Sequence, residues 1–485
     1  MKRPLLLLAI LLLFGCQRGP KLAEDAPRRV FFITVDTLRA DHMSLYGYPR
    51  QTTPELARLA AGGVVFDRAI TQWPKTGASF AAMFTGQYPQ TTGLTHRAAM
   101  RVPEEYLILP ELFQQSGYTT VGVVSNAVLA AKIGWSDGFD EFLQTWGAGD
   151  FPEDPHEFRE LIHAPRVNEL ALPLLEKHAK DDRLFVWLHY IDPHAPYMLP
   201  EGFANPFLND AWFQGDTVVP RRAIRGPYRL DDRTDLPYYV SQYDANVLVA
   251  DHYIRRVLDR ARELGLLEDS LIVFTADHGE SLGEHDSWFE HGPLPYNTTA
   301  HVPLFFVRDG LKPARIGRPV ELIDLYPTLR DLIAPGYEVP GLEGKSLAGF
   351  LKGEDSPDFQ LAFSEAGEKP RYFRSVQDGI WKLVLGVGGR RGDRMELFDL
   401  RSDPGETRNV ATAHPEEARR LRGELMRWIK NRPGRHADQE EDEETLKALR
   451  ALGYANYPDF PKFEASTARS CPSTIPSLLK SAEGE

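Results

Sequence analysis

Residues 271–292 read LIVFTADHGESLGEHDSWFEHG. The run from Leu271 to Thr275 is apolar with β-branched members, which suits a strand buried on both faces of a parallel sheet. It ends at Asp277-His278-Gly279, so an acid and an imidazole stand where a buried strand surfaces into a loop. Ligands of open α/β sheets bind at the carboxyl ends of strands. An Asp beside a His, followed by a glycine that lets the backbone turn, is half of a metal site and also an ordinary turn. Which of the two it is depends on partners at other strand ends.

Working outward, the chain supplies them. Residues 30–35 (VFFITV) form a second buried-strand run with Asp36 at its end. Residues 119–124 (TTVGVV) form a third, ending in Ser125-Asn126, and residues 184–191 (LFVWLHYI) a fourth, leading into Asp192-Pro193-His194. Between them lie helical patterns: 54–61, opened by Thr53 as N-cap and closed by Gly62-Gly63; 108–117; 166–180; and 238–267. In residues 71–86 (TQWPKTGASFAAMFTG), Pro74 and Gly77 disfavour helix early and Ser79 onward favours it. Thr76 therefore falls at a helix N-terminus, where unpaired amides and the dipole stabilise an oxyanion. Strands alternating with helices predict an α/β fold with a mostly parallel central sheet flanked by helices.

From Tyr372 the texture changes. Residues 373–376, 381–385 and 396–399 are short alternating runs between glycine-rich turns, predicting an antiparallel sheet, and a helix follows over 415–431. The expected organisation is a catalytic domain over 30–336, a smaller α+β subdomain over 337–432, and a helix (444–452) with a Ser/Pro-rich tail within 433–485. Residues 151–163 and 205–237 read as surface excursions.

With 42% hydrophobic and 26% charged residues, the composition is that of a folded domain, and a net charge of −13 argues against a phosphate-backbone binder. The two cysteines, Cys16 and Cys471, lie near the ends, so neither a disulfide framework nor a thiolate zinc site is expected. Lys2 and Arg3 precede an apolar run over 5–14, then Gly15-Cys16. About ten apolar residues are too few to span a bilayer, which needs ~20. The pattern is that of a signal peptide over 1–16 with a lipobox-like end, followed by a polar tether over 17–29. A plain secretory signal with an incidental Cys is the other reading. The first places the protein outside the cytoplasm, lipid-anchored to a bacterial membrane.

Asp36, Asp277, His278 and Thr76 make a divalent-metal set with an open position for substrate. A metal lowers the pKa of the Thr76 hydroxyl, and the alkoxide attacks a tetrahedral phosphorus or sulfur. The imidazole ligand favours Mn²⁺ or Zn²⁺, with Ca²⁺ possible.

At these residues the chain resembles the sulfatase branch of the alkaline phosphatase superfamily. The matching stretches are VDTLRADHMSLYGY from Val35, TGASFAAMFTGQYPQTTGL from Thr76, LHYIDPHAPY from Leu188, FTADHGESLGEH from Phe274, ELIDLYPTLRDL from Glu321 and ELFDLRSDPGETRNVA from Glu396. The resemblance makes Asp36, Asp277 and His278 metal ligands. It places His194 and His291 against the ester group, with Lys commoner at the latter position. The chain departs from the family's Cys/Ser-x-Pro-Ser-Arg motif, carrying Thr76-Gly77-Ala78-Ser79-Phe80 instead. Formylglycine is therefore not expected. Thr37 stands where the usual Asp-Asp pair has its second acid, and Asn126 or Lys132 stands near the position of a missing Gly-Lys-Trp-His segment.

A sulfated threonine lacks the exit that an aldehyde hydrate provides, whereas a phosphorylated threonine is released by water or an acceptor alcohol. The expected activity is hydrolysis or transfer of a phosphodiester, phosphonate or phosphomonoester through Thr76. The expected substrate is a small anionic ester or a glycan or lipid head group, not nucleic acid. Two alternatives stand beside it: a sulfatase working without formylglycine, and an inactive binding lipoprotein. Ser79 is the fallback nucleophile. Thr76 also reads as a simple N-cap, His194 as the cap of a proline turn, and His291 as a surface partner of Glu290. His189, His285 and His301 read as structural, with His285 or Asp192 the first candidates for a second metal. Arg39 reads as holding Asp36 or a loop.

The lipobox reading has a direct test. Cys16→Ser is expected to move the protein from the membrane to the soluble fraction of cells, as followed by immunoblotting; unchanged membrane retention refutes the anchor.

Overall fold

The computed structural model describes residues 19–95, 101–147, 155–208, 218–368, 371–387 and 394–432. The signal segment and the 444–452 helix with its tail lie outside them. Among the described residues no helix is long and apolar enough to cross a membrane.

The strands in chain order are β1 (Arg29–Val35), β2 (Val64–Ile70), β3 (Thr119–Val124), β4 (Glu141–Gln144), β5 (Leu184–Tyr190), β6 (Ser270–Ala276), β7 (Ser281–Leu282), β8 (Trp288–Glu290), β9 (His301–Arg308), β10 (Ala314–Ile316), β11 (Val320–Glu321), β12 (Ala362–Glu368), β13 (Arg371–Gln377), β14 (Trp381–Val387) and β15 (Arg394–Asp399). A nine-stranded sheet runs β10-β2-β9-β6-β1-β5-β3-β4, with β11 also on β2. Every pairing in it is parallel except those of β9, which runs antiparallel to both β2 and β6. The observed fold is the expected α/β class, and β9 is the exception in direction that makes the sheet mixed.

The centre of the sheet is β6-β1-β5. β1 is buried from Val30 to Val35, and all of β5 and β6 is buried. The pairing Val35↔Tyr190 and Val35↔Ala276 sets the three carboxyl ends level. Asp36, Asp277 and the His194 loop therefore leave the sheet side by side. The mechanism is apolar side chains covered by helices on both faces, with polar groups permitted only at the ends.

The second sheet is β12-β13-β14-β15, antiparallel throughout. Its first strand, β12, was not expected. Its inner residues Val376, Leu383 and Leu397 pack with Leu421 and Leu425 of the helix Pro415–Lys430, and with Ala82 and Tyr88. Ala82 belongs to the helix Thr76–Thr85, so the small sheet backs the element that starts at Thr76. The edge strand adds two main-chain bonds: Glu365 N donates to Gln72 O (2.9 Å) and Gly367 N to Gly292 O (2.8 Å). These brace the loops before Thr76 and after His291.

Two local expectations are corrected. Residues 155–162 form a helix that is not a surface excursion, because Arg159, Ile162 and His163 are each 1% exposed. The helix Pro54–Ala60 has no side-chain cap from Thr53. Asp251, on the long helix Leu236–Glu263, accepts from Glu55 N (3.1 Å) and Leu56 N (2.8 Å) in its place. A cap supplied from a distant helix satisfies the same orphan amides and locks two elements together.

Burial pushes the Asp251 carboxyl up to about 7. The folded state then binds its proton more tightly than the unfolded chain, so stability falls as pH rises from about 4 to 7. Asp251→Asn removes this titration. Its stability relative to wild type is expected to rise over that window, measured by urea unfolding at stepped pH; a flat difference refutes the assignment.

Candidate metal centre and active site

Asp36 follows β1 and Asp277-His278 follows β6, so two acids and an imidazole meet where the two strands end. One ligand atom from each of Asp36, Asp277 and His278 lies within 4.8 Å of the others, and all three residues are buried. Asp36 Oδ1 and Asp277 Oδ2 have no hydrogen-bond partner among the described residues. The other oxygens are spent. Asp277 Oδ1 accepts from Thr37 N (3.2 Å) and His278 N (2.8 Å). Asp36 Oδ2 accepts from Asn126 Nδ2 (2.5 Å) and lies 3.4 Å from His189 Nε2.

The His278 ring is oriented for coordination. Its Nδ1 lies 3.0 Å from Gly279 O, a carbonyl that can only accept, so the proton sits on Nδ1 and the Nε2 lone pair is exposed to the site. That Nε2 lies 3.4 Å from Asp277 Oδ2 and 3.3 Å from Thr76 Oγ1. Gly279 has a steric reason to be glycine: a Cβ there would come 2.2 Å from Thr298 O.

Electrostatics ask for a cation. Burial and then the charge of Asp36 push the Asp277 carboxyl up from its ordinary value. Asp36 is raised by burial but lowered more by His189, His194 and His278. Within 4.8 Å of each other, two like charges repel by at least about 3 kcal/mol at an effective dielectric near 20. That is a large fraction of a domain's ~5–15 kcal/mol of stability. Two aimed, unpaired carboxylate oxygens and one imidazole lone pair fit a divalent ion.

Thr76 is the first residue of the helix Thr76–Thr85, as expected, and buried. Ser79 is not a competing nucleophile. Its Oγ donates to Asp277 O (2.7 Å) and accepts from Thr71 Oγ1 (3.0 Å), so it anchors the β6 end. Phe80, at the position of the family motif's arginine, packs in the core against Trp187 and His189 (centroids 5.1 and 5.0 Å).

The two histidines that the resemblance places against the ester group are also here. The His291 ring stacks on His278 at 4.2 Å, and His194 stands edge-on to His291 at 5.2 Å. Burial lowers the proton affinity of both, to about 4 for His194 and well below the usual range for His291. The partner of His291 is Glu280 (Nδ1 to Oε1, 3.0 Å), not Glu290, which pairs with Arg225. Burial and the charge of Asp36 push the Glu280 carboxyl up to about 8.

Arg39 holds loops, pairing with Asp41 and Glu284 (2.7 Å each) and not with Asp36. His285 stacks on Tyr296 at 3.6 Å, and His301 bonds Asp67 O (2.9 Å). Both Asp192 oxygens are occupied by other donors, so neither His285 nor Asp192 joins the metal cluster. Asn126 reaches the site through its bond to Asp36. The left-handed Thr37 (φ 52°) was invisible in the sequence; Tyr243 Oη donates to its carbonyl (2.7 Å) and holds it there. Glu280 and Asn126 had signals, being polar residues at strand ends, but no spacing rule assigns their partners.

A sulfatase family profile matches residues 28–335. The chain is 26% identical over 379 residues to an ulvan-active sulfatase of Formosa agariphila, covering 73% of this chain and 71% of that one. Its fold matches a 2-O GAG sulfatase with a TM-score of 0.68 at 20% identity, covering 90% and 98%. It also matches the phosphonate monoester hydrolase of Silicibacter pomeroyi with a TM-score of 0.67 at 23% identity, covering 83% and 95%.

The cluster predicts opposite effects from one substitution. Asp277→Asn removes the like-charge repulsion and is expected to raise the melting temperature in chelator. It is also expected to abolish the further rise that Mn²⁺ or Zn²⁺ gives wild type. An unchanged metal-induced shift refutes Asp277 as a ligand.

Proposed function

The chain belongs to the sulfatase family, and from that premise we propose that it is a metal-dependent ester hydrolase or transferase working through Thr76. The substrate is a phosphodiester, phosphonate or phosphomonoester. The observation that carries the reading is Thr76 Oγ1 at 3.3 Å from His278 Nε2, at a helix start and beside two carboxylates with unpaired oxygens.

Asp36, Asp277 and His278 would hold the divalent ion, with Thr76 beside them. When bound, such an ion lowers the pKa of a coordinated hydroxyl and stabilises charge growing on the ester oxygens. The amides of the first turn of Thr76–Thr85 face the same developing charge. Thr76 Oγ1 passes its proton to neutral His194 or His291 and forms the bond to phosphorus. The bond from phosphorus to the leaving oxygen breaks with its electron pair, and His194 or His291 protonates that oxygen. Water or an alcohol then attacks phosphorus, the bond to Oγ1 breaks, and Thr76 regains its proton.

The names of the relatives favour a second reading, hydrolysis of sulfate esters, including those of glycans. Thr76 bears on it: a threonyl sulfate must be cleaved by water without help from an aldehyde hydrate. The lipobox-like N-terminus supports an extracytoplasmic, membrane-anchored enzyme whose substrate is a glycan or a lipid head group.

Purified protein is to be assayed on aryl phosphodiester, phosphonate and sulfate esters with Mn²⁺, Zn²⁺ or Ca²⁺. Turnover of a phosphorus ester that falls at least about 10³-fold in Thr76→Ala is the expected result. Turnover of sulfate alone selects the second reading, and Thr76→Ala at wild-type rate removes the nucleophile.

A further inference from the structure

The helix Pro155–Ile162 carries a charge that the proposed chemistry leaves unused. Arg159 and Asp192 side chains are 1% and 0% exposed. Asp192 Oδ1 accepts from Arg159 Nη2 (2.8 Å) and His163 Nδ1 (2.6 Å), and Oδ2 accepts from Ala164 N (2.7 Å). The carboxylate is thus saturated by one guanidinium arm, one imidazole and one amide at the start of the helix Ala164–Lys177. The guanidinium is not. Arg159 Nε and Nη1, and His163 Nε2, are buried without a hydrogen-bond partner among the described residues.

Guanidinium has five N–H donors, and a buried site that serves only to neutralise an acid points the fork at that acid bidentately. Here only one arm touches Asp192, so the Nε–H and the two Nη1–H donors are left over, and Nη1 can donate to an oxoanion oxygen. Its position is also particular. Asp192 follows β5, whose end is level with that of β1, and stands two residues before His194. The Arg159 charge acts on both Asp36 and His194.

We propose that Arg159, positioned by Asp192 and His163, is an anion-binding residue of this site that takes an oxoanion of the substrate on its free Nη1–H donors. The ligand chemistry is a sulfate, phosphate, phosphonate or carboxylate group. Its source is either the ester group itself or a second acidic substituent on the same substrate. The proposal rests on Asp36, Asp277 and His278 being the reaction centre only in calling the ligand a substrate; anion binding by Arg159 stands without it.

The full chain is melted in chelator with inorganic sulfate or inorganic phosphate, which isolates Arg159 from any metal. Wild type is expected to gain melting temperature with added anion, and Arg159→Lys to lose most of that gain while keeping the fold. In Arg159→Met/Asp192→Asn the ion pair is removed as a unit, so that no lone charge is buried. Circular dichroism is expected to report a folded protein and the anion to shift nothing. In metal-loaded enzyme, KM is expected to rise about 10- to 100-fold, with kcat changed less, as for a lost charged hydrogen bond. A rise for an aryl ester with one anionic group identifies the ester group as the ligand. A rise confined to an ester that also bears a carboxylate identifies a second substituent. Absence of an anion shift in wild type, or an equal shift in the folded double variant, overturns the proposal. If no ester is turned over but the shift behaves as stated, the reaction assignment fails and the anion site stands.

Discussion

Two carboxylates forced together in a dry place are the constraint on which the rest depends. Asp36 and Asp277 leave adjacent strands at the same level because β1 and β6 pair in register to their last residues. The sheet cannot move one without unpairing the other. Burial prevents water from solvating either, and each keeps one oxygen unpaired. The neighbours share the task of holding this arrangement: Asn126 on Asp36, Ser79 on the Asp277 carbonyl, Tyr243 on the Thr37 carbonyl. Each restraint comes from a different element, so the geometry is set by the whole layer and not by a loop.

The fold was legible because its elements announce themselves locally. Strands β1, β5 and β6 are continuous apolar runs, and the helix Thr76–Thr85 starts just past Pro74, with Gly77 in its first turn. What escaped reading was set by distant partners. β12 (AFSEAGE) has too little apolar character to signal a strand; it is one because β13 pairs along its whole length. The Pro54–Ala60 helix displays a plausible Thr cap in sequence, yet a carboxylate from nearly 200 positions away does the capping. Residues 155–162 look polar enough for the surface, but Asp192 draws Arg159 and His163 inside.

The candidate site divides in the same manner. Asp277-His278, Asp36 and Thr76 were readable because strand ends and helix starts are chemically marked positions, and the structure brings all four together. Ser79 looked like a rival nucleophile until its hydroxyl was seen to be doubly engaged. The choice of Glu280 over Glu290 as the partner of His291 follows from the loop conformation between them, which includes left-handed His285, Asp286 and Phe289. No one-dimensional pattern specifies such a path.

The bracing of both active-site loops by β12 has a temporal side. Gln72 and Gly292 each receive a main-chain bond from residues 365 and 367. The next support comes later still: Lys382 is buried against Glu406 and donates to Asn297 Oδ1 (2.9 Å), a few residues past His291. During synthesis the large sheet has all its strands once Glu321 has emerged, but these loops stay unfastened until Glu365 and Gly367 of β12 follow. A ribosome that stops short, or a protease that trims the C-terminal part, leaves a chain with the candidate site residues but without these three bonds to their loops. Competence in this protein is conferred by the end of the polypeptide on chemistry written near its beginning and middle.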